Sequence, residues 1–205
     1  ANPYMTAAHA TIYYERLRQL GEQPGTIIMP IGAGPMLAGL LQGADRLLRQ
    51  GAIDRLPVLI GVQSAGCAPI ARAFDNGDET VREWEENDFG MAGSINDPLR
   101  GYPADGTRTL RDIRRTDGFA VAVDDAEIRD AMSDLARLEG VAAEPAAAAP
   151  LAALRRLMRN HALPRPITLV ISGHALKDPG ALPGASPRLK VGRDIGPLDF
   201  VAAAR

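Results

Sequence analysis

Short unbroken apolar runs alternate along this chain with longer stretches of helical periodicity. Gly25-Thr26-Ile27-Ile28-Met29-Pro30-Ile31 is the first run, followed by Leu56–Val62, Gly118–Val123 and Pro166–Ile171. None shows the in-out alternation of a half-solvated strand, so each is read as a strand buried on both faces. Between them the spacing predicts a helix over Thr11–Leu20, with Ile12, Leu17 and Leu20 apolar and Gly21 as its stop. A second helix runs from Met36 to about Gln50, ended by Gly51, and a third begins in Ala68–Phe74. Asp124 or Asp125 caps a fourth that continues through Leu138, because an Asx oxygen can take orphan N–H groups at the positive end of a helix. Glu144-Pro145 breaks the chain before an alanine-rich helix from about Ala146 to Asn160. Asn87–Asp117 is rich in Gly, Asp, Asn and Pro and poor in periodic apolar residues, so one long loop is expected there. The chain after Pro179 is expected to be irregular, and no internal repeat is visible.

Buried strands alternating with amphipathic helices imply a three-layer α/β architecture, a parallel sheet with helices on both faces. Ligands of such sheets bind beyond the carboxyl ends of the strands, where the chain turns into a helix. Two turns of that kind stand out: Gly32–Met36 after the first run and Ser172–Ala175 after the fourth.

Composition narrows the partners. A net charge of −2 over 205 residues, 46% of them hydrophobic, gives no electrostatic reason to expect nucleic acid or an anionic membrane. The longest apolar runs are strand-sized, too short to span a bilayer. Cys67 is the only cysteine, which excludes an internal disulfide and suits a reducing, cytoplasmic setting. With no base in Ala65-Gly66-Cys67-Ala68-Pro69, that thiol is expected to be packed and inert. Lys177 and Lys190 are the only lysines, so any chemistry needing a primary amine has two side chains to choose from. Ala1-Asn2-Pro3-Tyr4 begins abruptly, the expected look of a piece of a longer or processed protein.

Gly32-Ala33-Gly34 can aim several backbone N–H groups at one point, and the helix from Met36 adds the positive end of its dipole. That is an anion cradle, suited to a phosphate. Pro35 donates nothing, yet proline fits the first helical position. A dinucleotide reading of Gly32, Gly34 and Ala38 requires an acid at the end of the next strand. That strand ends in Gly61-Val62-Gln63-Ser64 without one.

Taken together, these landmarks resemble threonine synthase and its relatives among the tryptophan-synthase-β-like, fold-type-II pyridoxal-phosphate (PLP) enzymes. Asn2-Pro3-Tyr4 with Thr11 is similar to the segment that leads into the family's large domain, and Met29-Pro30-Ile31-Gly32-Ala33-Gly34 to its phosphate loop. Gly51–Pro57 with Ile60-Gly61-Val62-Gln63 and Ala68-Pro69-Ile70 resembles its second βα unit, and Gly93-Ser94-Ile95 the stretch before the substrate-side loop. Gly140-Val141 with Glu144-Pro145-Ala146-Ala147-Ala148, then Ser172-Gly173-His174-Ala175-Leu176-Lys177-Asp178-Pro179, complete the series in order. The resemblance implies that 1–179 is the PLP-binding large-domain portion, with 1–20 the helix leading in from a small domain, and 180–205 an irregular tail. It further implies that Gly32, Ala33, Gly34, Pro35 and Met36 surround the cofactor phosphate. Ser172 would hydrogen-bond the pyridine nitrogen, Glu144 would line or underlie the site, and His174 would be structural.

The family's Schiff-base lysine, in a Ser-Phe-Lys-type motif ahead of Asn-Pro-Tyr, has no counterpart here. Lys177 matches a motif lysine beyond the cofactor turn, and Lys190 matches nothing. Ala7-Ala8, Ala10, Pro35-Met36 and Ala175 also depart from the family pattern. The expectation is a portion of a PLP-dependent lyase or β- or γ-replacement enzyme acting on a small amino acid. A missing N-terminal half or a separate chain would bring the lysine, and a homo-oligomer, by analogy a dimer, is expected. A diverged enzyme with another amino-acid substrate, or a non-catalytic ligand-binding or partner module that keeps the fold, are the alternatives.

Overall fold

In the computed structural model, which describes residues 2–181, four parallel strands form one sheet in the order β3-β2-β1-β4. The strands are β1 (Thr26–Pro30), β2 (Val58–Ser64), β3 (Phe119–Val123) and β4 (Ile167–Leu169). Ile28 pairs with Ile60 and Leu169, and Ile60 with Phe119. Seven helices surround the sheet among the described residues: α1 (Pro3–Ala8), α2 (Ala10–Leu20), α3 (Pro35–Arg49), α4 (Pro69–Asp75), α5 (Pro103–Arg115), α6 (Asp125–Glu139) and α7 (Pro145–Leu157). The three-layer α/β expectation describes what is found.

Strand alternation sorts the core into two halves, because successive side chains point to opposite faces. Ile27, Met29 and Leu59 pack with Tyr13 of α2, Leu37, Leu40 and Leu41 of α3, Ile70 of α4, and Leu110 and Ile113 of α5. Ile28, Ile60, Val62, Val121 and Val123 pack on the other face against Ile128, Met132 and Leu135 of α6. The alanines of α7, Ala146–Ala149, Ala152 and Ala153, are all buried in that second cluster. With no bulk beyond Cβ they let α7 lie close to the strands and place its first turn at their carboxyl ends.

The ends of α6 settle a choice the sequence left open. Asp124 is the N-cap: its carboxylate accepts from Glu127 N–H while the Glu127 carboxylate accepts from Asp124 N–H. This reciprocal capping box satisfies two orphan donors. Asp125 instead accepts from Met91 N–H at 3.0 Å and ties the preceding loop to the strand ends.

Two expectations fail. The fourth apolar run, expected as a strand buried on both faces, forms the three-residue β4, half-buried throughout because it lies at the edge of the sheet. The span Asn87–Asp117 is not one loop, since it contains a turn at Gly93–Ile95 and the thirteen-residue helix α5. The buried face of α5 is Gly106, Thr107, Thr109, Leu110 and Ile113, with only two large apolar side chains among them. Such a face carries little apolar periodicity, and the helix is held by tertiary contacts of its threonines: Thr107 Oγ1 accepts from Val81 N–H at 2.9 Å. The N-terminal residues add α1, capped by the Asn2 side chain, which accepts from Tyr4 N–H. Pro179–Ala181 form a short 3₁₀ turn, and the rest of the expected irregular tail lies outside the described residues. No helix among the described residues is long and apolar enough to cross a membrane.

The chain runs from β1 outward to β2 and β3, then crosses back to β4 on the other flank of β1. Connections leaving β1 and β4 therefore diverge, and a crevice opens beyond their carboxyl ends, where doubly wound sheets bind ligands.

Candidate functional site at the ends of β1 and β4

Both turns singled out in the sequence meet in that crevice. β1 ends at Pro30, Ile31 N–H continues the ladder to Val62 O at 2.9 Å, and the loop 32–34 then swings out to start α3. Its carbonyls are held from behind: Gly32 O accepts from Gln63 Nε2 at 3.4 Å, and Ala33 O from Thr109 Oγ1 at 2.6 Å. Gly34 O accepts from Ala38 N–H inside the first turn of α3. With the carbonyls engaged, the amides of Gly32, Ala33, Gly34, Met36 and Leu37 find no protein acceptor among the described residues. Gly34 makes this geometry possible at φ +92°, where an L side chain is strained, and a Cβ there would lie 2.3 Å from Thr109 Oγ1. Pro35 occupies the first helical position and contributes no donor.

A cavity of about 230 Å³ opens in front of the loop. Gly32, Gly34, Pro35 and Met36 line one side, and Ser94, Glu144, Ser172 and Lys177 the other. Larger cavities exist, one of about 470 Å³ at the free edge of β3 and one of about 390 Å³ beside Trp84. Neither lies at the switch point of the sheet or collects free backbone donors, so the smaller one is the better candidate. Ser172, two residues beyond Val170, is exposed to it and makes no hydrogen bond to protein among the described residues. His174 has the structural part expected of it: its Nδ1 accepts from Leu176 N–H at 3.1 Å and caps the turn Ala175–Lys177. Glu144 is buried under Gly173, its carboxylate 3.1 Å from Lys177 Nζ. Lys177, set aside in the sequence as lying beyond the turn, thus reaches the cavity, but with its ammonium already engaged. Lys190 lies outside the described residues.

Three residues that shape the site went unassigned in the sequence. Gln63 is fully buried at the end of an apolar strand, a polar terminus that could have signalled a bridging role. Thr109 sits in a helix the sequence did not show. Asp97 packs its Cβ against Gly32, and its carboxylate accepts from Leu99 N–H at 3.0 Å and from the Tyr102 hydroxyl at 2.7 Å. The bond to Asp97 pushes the Tyr102 phenol up to about 12.

Cys67 does not line the cavity. Burial, and then the charge of Asp97, push its thiol up to about 11, so at neutral pH it is a thiol and not a nucleophilic thiolate. The folded protein is expected to leave Cys67 unmodified by an aromatic disulfide reagent at pH 8 and to yield its full thiol only in denaturant. Rapid native labelling would contradict this burial.

Among known proteins, the family described as "Pyridoxal-phosphate dependent enzyme" matches residues 1–173. The threonine synthase of Methanosarcina acetivorans is 37% identical over 181 residues, 87% of this chain and 44% of that protein. The threonine synthase of Methanocaldococcus jannaschii is 32% identical over 202 residues, 96% of this chain and 49% of that protein. The chain spans about half the length of the curated relatives it matches. Of the solved structures, the threonine deaminase of T.th. superposes with a TM-score of 0.64 at 22% identity, covering 83% of this chain and 56% of that one. Maize serine racemase gives 0.63 at 23% identity, covering 83% and 49%. Likeness at that identity speaks to the fold, which it matches.

Proposed function

This chain belongs to the family of pyridoxal-phosphate-dependent enzymes, and from that premise we propose that it is the cofactor-holding portion of an enzyme acting on a small amino acid, similar in activity to threonine synthase. The observation that carries the proposal is the loop 32–34: its carbonyls are bonded rearward, and its amides face a cavity that a free serine hydroxyl also lines. The amides of Gly32, Ala33, Gly34 and Met36, with the N-terminal dipole of α3, would hold the cofactor phosphate. Pro35 would close the cradle by shape alone, and the Ser172 hydroxyl would hydrogen-bond the ring nitrogen. When bound, the cofactor supplies an electron sink for charge that develops on the substrate carbon bearing the amino group. A neutral hydroxyl at the ring nitrogen tempers that sink by comparison with a carboxylate.

The cavity is smaller than the roughly 300 Å³ at which ligand pockets begin. These residues therefore make one side of the site. In our reading residues 1–179 are that side, with 1–20 leading in from a lysine-bearing N-terminal portion that closes it, and the reaction is an elimination or a β- or γ-replacement. The half-length match to relatives of full-length activity supports this division. We also read the protein as cytoplasmic, from its single buried thiol, and as a homodimer.

The test uses pyridoxamine 5′-phosphate, which needs no lysine to bind. Saturable binding with a spectral shift is expected, and Ser172→Ala should weaken it about tenfold and shift the bound spectrum, the worth of one charge-influenced hydrogen bond. An unchanged spectrum and affinity in Ser172→Ala would remove that residue from the ring. Absence of binding, with or without the N-terminal portion, would favour a non-catalytic module that keeps the fold.

A further inference from the structure

Holding a phosphate and a ring nitrogen leaves one feature of the cavity unused, the ion pair inside it. Glu144 is 4% exposed and heads α7 without capping it. Its Oε1 lies 3.1 Å from Lys177 Nζ, and a Cβ on Gly173 would come within 2.1 Å of that same oxygen. The carboxylate therefore lies flat against the turn that carries Ser172. Backbone bonds join the same segments, Glu144 N–H to Gly173 O at 3.0 Å and Ala175 N–H to Ala142 O at 2.9 Å. The Lys177 side chain is 60% exposed and the Glu144 side chain 5%, so the ammonium keeps its hydration while the carboxylate has lost nearly all of it. A buried carboxylate with one cationic partner relies on that partner to offset its lost hydration.

We propose that Lys177 is a positioning residue: its ammonium pairs with the buried Glu144 carboxylate, and the pair clasps the Ser172-Gly173-His174 turn to the head of α7, fixing where the Ser172 hydroxyl stands. What the turn is fixed for rests on the cofactor reading above; the clasp itself does not. Among the residues lining the cavity, Glu144 and Lys177 are the ionisable ones. Asp97 stands behind Gly32 with its carboxylate engaged by Leu99 and Tyr102, and His174 Nδ1 is engaged by Leu176 N–H. The charges of α6 that meet α7 are paired toward its other end, Glu127 with Arg156 and Asp134 with Arg155. All of these persist in the variants below and drop out of the differences.

Without Lys177 the buried carboxylate has no cationic partner, and an unpaired buried charge destabilises the fold. Lys177→Met should accordingly melt roughly 3–6 °C below the unaltered protein at pH 8. Lys177→Arg should stay close to the unaltered protein. The double variant Glu144→Gln/Lys177→Met removes the orphaned charge and should regain most of the loss at pH 8. Hydrogen exchange at the Glu144 and Ala175 amides should quicken in Lys177→Met at pH 8 and slow again in the double variant. A Lys177→Met protein that melts with the unaltered one, or a double variant no better than Lys177→Met, would overturn the clasp. Titration with pyridoxamine 5′-phosphate separates the two readings. If the unaltered protein binds it, Lys177→Met should bind several-fold more weakly at pH 8, and equal affinity would refute the positioning of Ser172. If the unaltered protein binds none, the cofactor reading fails and the melting series alone judges the clasp.

Discussion

Gly34→Ala is expected to lower the affinity for pyridoxamine 5′-phosphate by at least about a hundredfold, the worth of two charge-assisted hydrogen bonds to the phosphate. Two physical costs meet at this position. The backbone sits at φ +92°, ψ 23°, where any Cβ is strained. The new methyl would also fall 2.3 Å from Thr109 Oγ1, the group that pulls Ala33 O away from the cavity. Relief of either cost rotates the 33–34 peptides and turns amides out of the cradle. The fold should survive with a loss of about 3 kcal/mol in urea unfolding, combining the strained backbone and one lost hydrogen bond. Unchanged affinity in a folded Gly34→Ala protein would mean that the phosphate sits elsewhere. Thr109→Val is a useful companion, because it frees Ala33 O without straining Gly34.

Gln63→Leu should be the most destabilising polar substitution near the site, by about 4 kcal/mol from two buried donors left unpaired. Gln63 Oε1 accepts from Ile70 N–H at 2.9 Å and from Ala71 N–H at 3.0 Å. Those are first-turn amides of α4, whose N-cap Ala68 has no side chain to offer them. The helix is thus capped from a neighbouring strand, by the side chain whose Nε2 also restrains Gly32 O. Leucine fills the space and satisfies neither end. Gln63→Glu keeps an acceptor for α4, favourable at a helix start, but cannot donate to Gly32 O. It should therefore unfold later in urea than Gln63→Leu while still loosening the cradle. A Gln63→Leu protein as stable as the unaltered one would show that α4 does not need this cap.

The buried strands were legible because parallel strands covered on both faces appear as unbroken apolar runs, as Thr26–Pro30 and Phe119–Val123 do. The glycine-proline turn into α3 was legible as well, since few residues permit a left-handed backbone that leads directly into a helix. Helix α5 was not legible. Its inner face is made of glycine, threonine and two aliphatic residues, and a threonine that hydrogen-bonds a distant loop reads in the sequence as a surface residue. The partner of Lys177 was not legible for a related reason: a motif position gives its distance along the chain, and the side chain folds back across the turn to Glu144.

The amino-acid sequence by itself determined the layered sheet, the two turns at strand ends where a ligand could bind, and the family whose landmarks run through the chain in order. These are local properties, set by periodicity, by backbone freedom and by short motifs. Only the tertiary structure decided which backbone groups of the 32–34 loop are free, because that depends on Gln63 and Thr109 arriving from β2 and α5. It alone brought the Glu144 carboxylate under Gly173 and Lys177 onto the carboxylate. Hydrogen bonds and ion pairs between residues far apart in the chain leave no periodic trace, and they determine what a turn can hold.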